Sequence, residues 1–113
     1  MKTILFAGLI GILATGAVAH SPLEKTTPAN EAIVTEMPTE VVMDFKGDIR
    51  LTRVAITHAD MPSVDMDLSD HTAFTQEFAL PMQDMGAGVY VVKWRGLGAD
   101  GHALNGTFSF TVE

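Results

Sequence analysis

The chain has 113 residues, with seven Lys and Arg against fourteen Asp and Glu, a net charge of −7, and no Cys. This length holds one domain. The acidity argues against nucleic acid and anionic membrane surfaces as partners and is compatible with small cations, and the lack of Cys excludes a disulfide framework.

In chain order, the first element is a leader. Lys2 supplies a positive start, residues 4–13 are apolar apart from Gly, and Ala17-Val18-Ala19 is a small-x-small cleavage pattern. Residues 1–19 are therefore expected to be a secretory signal peptide and residues 20–113 the mature domain. An uncleaved anchor is disfavoured, because the uncharged run from Thr3 to Ala19 falls short of the ~20 apolar residues of a spanning helix. With no Cys, lipoprotein anchoring is excluded. Removal of Lys2 with the leader leaves six basic residues against fourteen acidic ones, a net charge of −8.

The mature part reads as short strands. Residues 21–38, with Pro22, Pro28 and Pro38, predict an extended entry segment with one short edge strand and turns. Val41, Met43 and Phe45 alternate with Val42 and Asp44, which predicts a strand with one buried face. Lys46-Gly47-Asp48 reads as a turn, and residues 49–57 as the next strand. There the alternation slips between Leu51 and Val54, the mark of a bulge. Residues 58–71 are polar and acidic, a loop or weak edge strand. Residues 72–80 alternate again, with Phe74, Phe78 and Leu80 on one face. Residues 81–88 are a turn region, and residues 89–95 the strongest strand, β-branched and aromatic. Residues 96–105 form a Gly-rich loop. Residues 107–112 close the chain, with Phe108, Phe110 and Val112 opposite Thr107, Ser109 and Thr111. Tyr90 and Trp94 share a parity and are expected in the core, as are Met43 and the Phe residues of the alternating strands. Six or seven short strands without helical periodicity predict an all-β fold, an antiparallel β-sandwich.

Two segments carry metal-competent groups. Cleavage after Ala19 leaves His20 with a free α-amine, so one residue offers an amine and an imidazole as a chelate. Asp100-Gly101-His102 offers a carboxylate and a second imidazole, on the same side if the backbone is extended. Three nitrogens and one oxygen suit the tetragonal preference of Cu(II), which the Irving–Williams order makes the tightest divalent occupant. A cut displaced by one residue would take the amine away from His20. Alone, Asp-x-His is a weak signal. His58, Met61, Met66 and His71 are thioether and imidazole groups in the acidic stretch, where a solvated loop is the simpler reading. Met82 and Met85 read as gap-filling or surface residues.

The chain resembles the CopC-type periplasmic copper-binding proteins. The resemblance runs from His20 and Leu23…Thr27-Pro28-Ala29 through Pro38-Thr39-Glu40-Val41-Val42-Met43-Asp44-Phe45. It continues in Gly88-Val89-Tyr90-Val91-Val92-Lys93-Trp94-Arg95, Ala99-Asp100-Gly101-His102 and Gly106-Thr107-Phe108-Ser109-Phe110-Thr111-Val112. It implies an Ig-like, Greek-key sandwich with a Cu(II) site on His20, Asp100 and His102. It also implies a periplasmic copper buffer or carrier without catalytic turnover, and an inner-membrane copper-transport partner that no residue here identifies. Gly98 departs from the serine usual in the family ahead of Asp-x-His and is expected to loosen that loop without loss of a ligand. Some relatives hold Cu(I) in a methionine-rich loop; here Met61 and Met66, with His58 or His71, imply at most a weak Cu(I) site.

Two other readings compete. An N-terminal-histidine copper monooxygenase shares the amine–imidazole chelate, but Asp100 would fill a position that oxygen chemistry needs open. Only eight aromatics are present, most on core parity. A metal-free Ig-like interaction module would bind no copper.

Overall fold

The computed structural model describes residues 22–113, and among them there is no helix. Seven strands are formed: β1 (Leu23–Thr27), β2 (Ala32–Val34), β3 (Glu40–His58), β4 (Val64–Asp65), β5 (Thr75–Pro81), β6 (Gly88–Gly98) and β7 (Ala103–Val112). The expected leader, residues 1–19, lies outside the described residues, as does His20.

Strand β3 belongs to both layers of the sandwich. Its first part, through Phe45, pairs antiparallel with β1 on one side and β5 on the other. Its second part, from Ile49, pairs antiparallel with β6 and, at Ala55 and Ile56, with β4. β6 and β7 form a ten-pair antiparallel hairpin, and β2 adds to the far side of β7. That last pairing is parallel (Ala32 with Phe110, Val34 with Val112), the one exception to antiparallel order among these pairings.

Lys46-Gly47-Asp48, expected as a turn, instead carries β3 from one layer to the other. The three residues are exposed, Lys46 N donates to Pro22 O at 2.9 Å, and the register with β5 shifts between Asp44 and Ile49. The chain bends there without reversing, because β1 still holds the strand at its start. The bulge expected between Leu51 and Val54 is present, as a register shift against β6 between Leu51 and Arg53. The entry segment forms two short strands where one was expected.

Alternation along each strand fills the space between the layers with Val41, Met43, Phe45, Phe78, Leu80, Tyr90, Trp94, Phe108 and Phe110, each at most 2% exposed. Phe45 packs its edge on Trp94 at 5.1 Å between centroids and on Phe78 at 5.8 Å. Tyr90 stacks on its cross-strand partner Phe110. The Tyr90 hydroxyl donates to Gly86 O at 2.6 Å and accepts from Met85 N at 3.2 Å. It thus ties down the turn before β6, as a tyrosine corner does in Ig-like folds.

Phe74 is the exception among the expected core residues. It is 47% exposed and precedes β5, which begins only at Thr75. Thr75 pairs with Ile49, where β3 leaves this layer, so residues before Thr75 have no strand to pair with.

Trp94 lies opposite Gly106 in register, and a Cβ at Gly106 would stand 2.7 Å from Trp94 Nε1 and 2.8 Å from two ring carbons. The indole therefore occupies the volume that any side chain at residue 106 would need. Gly106→Ala is predicted to cost about 1–3 kcal/mol by overpacking. Tyr90→Phe is predicted to cost about 0.5–1.5 kcal/mol by removing the two part-buried hydrogen bonds of its hydroxyl. Denaturant unfolding checks both; unchanged midpoints would mean that the indole and the turn relax freely.

Candidate metal centre

The β6–β7 hairpin turns through residues 98–103, and this turn presents Asp100 and His102. Two backbone bonds close it: Gly98 N donates to His102 O and Gly101 N to Gly98 O, both at 2.9 Å. Gly101 has φ +88°, a conformation that L side chains rarely adopt, so glycine suits the turn. The backbone is thus turned, not extended as the Asp-x-His spacing suggested, and the two side chains meet by a different route. Asp100 Oδ1 accepts from His102 N at 3.1 Å, and Asp100 Oδ2 lies 2.8 Å from His102 Nδ1. With Nδ1 donating to the carboxylate, a neutral His102 carries its free lone pair on Nε2, the arrangement that prepares an imidazole for a metal.

Both side chains are open to solvent, 68% exposed for Asp100 and 82% for His102. The hydrogen bond from the His102 ring, then that from its backbone N–H, holds the Asp100 carboxyl below its ordinary value. The same hydrogen bond, with the carboxylate charge, raises His102. Gly98 leaves room for this pair, since a Cβ there would stand 2.9 Å from Asp100 Oδ1. The loop is closed by its two backbone bonds.

Among the described residues, no group of three or more His, Cys, Asp or Glu is placed to hold a metal. Asp100 and His102 on their own supply two side chains, one fewer than such a group. Pro22 O is bonded to Lys46 N, and three residues further along β3 Ile49 is paired with Gly98, where the turn begins.

The soft-ligand candidates are not gathered in one place. Met61 is 62% exposed. His58 Nε2 lies 2.8 Å from Ala87 O, and its ring sits 4.6 Å from that of Tyr90. Met66 and His71 share a cavity of about 310 Å³ with Met85. Met85, which its sequence context marks only as gap-filling or surface, packs against the core and also faces this cavity. Residues 66 and 85 lie on separate segments, so no spacing in the sequence links them.

Residues 23–113 match the family model of the CopC domain. Copper resistance protein C of Escherichia coli is 27% identical over 123 residues, covering 99% of this chain and 96% of that protein. The crystal structure of CopC from Methylosinus trichosporium OB3b superposes with a TM-score of 0.68 at 28% identity, over 83% of this chain and 94% of that one. PcoC, a methionine-rich copper resistance protein from Escherichia coli, has a TM-score of 0.56 at 22% identity, over 84% of this chain and 100% of that one, and shows likeness of fold.

The Asp100–His102 contact predicts a pH signature in the metal-free protein. The carboxylate's contribution to stability is present above its unfolded value and is lost as pH falls through its lowered folded value. That of His102 is present below its unfolded value and is lost as pH rises through its raised folded value. The pair is therefore strongest between the carboxylate and histidine ranges. In an NMR titration His102 should titrate above about 6.5 and return towards that value in Asp100→Asn. Equal midpoints in the two proteins would contradict the contact.

Proposed function

The chain belongs to the CopC family, and we propose that it is a periplasmic copper-binding protein of copper resistance that holds Cu(II) between its mature N-terminus and the β6–β7 turn. The ligands in this reading are the amine and ring nitrogen of His20, the Nε2 of His102 and a carboxylate oxygen of Asp100. Each Asp100 oxygen accepts one bond from His102 and keeps a further lone pair for the metal.

The observation that carries the reading is where β3 brings the chain in. Pro22 is anchored at Lys46, and Ile49, three residues on, is paired with the start of the Asp100–His102 turn. Three extended residues span at most about 10 Å, and the two residues from Pro22 back to His20 span about 7 Å. In this reading the His20 side chain and the projection of the turn cover what remains of that distance. The role is binding and transfer without turnover, with a membrane copper-transport protein as the partner. Of the described aromatic residues Phe74 alone is exposed, which supports binding over chemistry on a polysaccharide surface.

Cu(I) has a separate candidate. Met66, His71 and Met85 line one cavity, and thioether with imidazole suits that ion. This reading replaces Met61 by Met85 and leaves His58 out.

Adding one residue ahead of His20 in the exported protein should weaken Cu(II) binding by orders of magnitude and Zn(II) binding far less, because only the amine chelate is lost. Calorimetry with both metals tests this; unchanged Cu(II) affinity would remove His20 from the site. In competition with a Cu(I) chelator, Met66→Leu/Met85→Leu should abolish whatever Cu(I) binding the protein has, while Met61→Leu should not. The opposite order would return the site to Met61.

A further inference from the structure

The basic residues of this acidic chain are not spread evenly. Beyond Lys2 there are six, and four of them, Arg50, Arg53, Lys93 and Arg95, lie exposed on the outer face of β3 and β6. β6 and β7 contain no Asp or Glu. Arg53 stands directly opposite Arg95 across the strand pair, and like charges so placed destabilise a sheet. One carboxylate answers them: Asp65 on β4 accepts from Arg53 Nε at 3.1 Å. Among the described residues Arg50, Lys93 and Arg95 have no ion pair.

The surface around them is shaped for polar contact. Lys93 and Arg95 stand between two shallow depressions. One, of about 250 Å³, is also lined by Arg53, Thr57 and Ser63. The other, of about 500 Å³, reaches Thr52, Asn105 and Thr107. A carboxylate entering either would meet a cation and hydroxyl or amide donors. The same hairpin carries the candidate metal turn: Arg95 pairs with Asn105, and three residues on, about 10 Å along the strand, Gly98 begins the turn.

We propose that the outer face of β3, β6 and β7 is a docking surface for an acidic segment of a partner protein, one that exchanges metal with the Asp100–His102 turn. The proposal rests on the copper reading above, to which it adds the chemistry of the partner. Charge complementarity selects the partner. A short acidic segment meets the basic face within about one Debye length, whereas an extended anionic bilayer or a second copy also meets the net charge of −8 expected for the mature chain.

The test is an NMR titration of the purified protein with an oligoglutamate peptide at low salt. Shifts are expected on the outer faces of β3, β6 and β7, and should vanish at about 0.5 M salt. Lys93→Gln/Arg95→Gln should weaken binding about tenfold or more, while Lys93→Arg/Arg95→Lys should retain it. Absence of shifts, or equal binding by the Gln variant, would overturn the proposal. So would binding to phosphatidylglycerol vesicles without peptide binding, or self-association in ultracentrifugation that the Gln variant abolishes. Cu(II) binding is followed in the same samples. Its absence would count against the copper reading, whereas copper binding without peptide binding would count against this surface alone.

Discussion

Strand β3 has to satisfy two layers at once. Up to Phe45 it pairs with β1 and β5, Ile49 pairs with both β5 and β6, and beyond Ile49 it pairs with β6 and β4. The three exposed residues between, Lys46 to Asp48, are where the chain changes layer, and they bring three things together. Pro22 is tied to Lys46, Phe45 puts its ring between Trp94 and Phe78, and Ile49 meets Gly98. The entry of the chain, the centre of the core and the turn carrying Asp100 and His102 are thus set by one stretch of backbone. Pro22 and the turn carrying Asp100 and His102 are thus tied to positions three residues apart on one strand.

The turn itself depends on a stiff hairpin. β6 and β7 pair over ten positions, with Trp94 over Gly106 and Tyr90 stacked on Phe110. Their inner face is filled by large rings, and their outer face carries Lys93, Arg95 and polar residues alongside Val89, Val91 and Leu97, so the loop is held by packing on one side and left open on the other. A binding turn gains from this, because little ordering is left to do when the ligand arrives. The Asp100–His102 hydrogen bond extends the same logic to the side chains, fixing which ring nitrogen stays free.

Much of this fold is legible in the residues. The parity of Val41, Met43 and Phe45, and of Phe108, Phe110 and Val112, reports the core directly, because period-two alternation is a local property of a strand. The slip between Leu51 and Val54 marks a real bulge for the same reason. Phe74 shows the limit: its parity is correct, but whether a strand extends to it depends on a partner strand that has already left the layer. Lys46-Gly47-Asp48 misleads in a similar way, since a turn-like tripeptide can also bend a strand held at both ends. In the candidate site, Asp100 and His102 can be picked out from their types, and the structure brings them into contact. That contact comes from a glycine turn rather than from extended spacing, and spacing alone does not distinguish the two. Met85 was hidden because it meets Met66 and His71 only through the packing of distant segments.

The central claim is that the two ends of the mature chain make one Cu(II) site. The most direct test is pulsed electron-paramagnetic resonance on the exported protein loaded with one equivalent of Cu(II), with its histidines labelled with ¹⁵N. The account predicts two equatorial imidazole nitrogens, one of which disappears in His102→Ala while the other, from His20, remains. A spectrum with a single imidazole in the wild type, or one unchanged by His102→Ala, would contradict it.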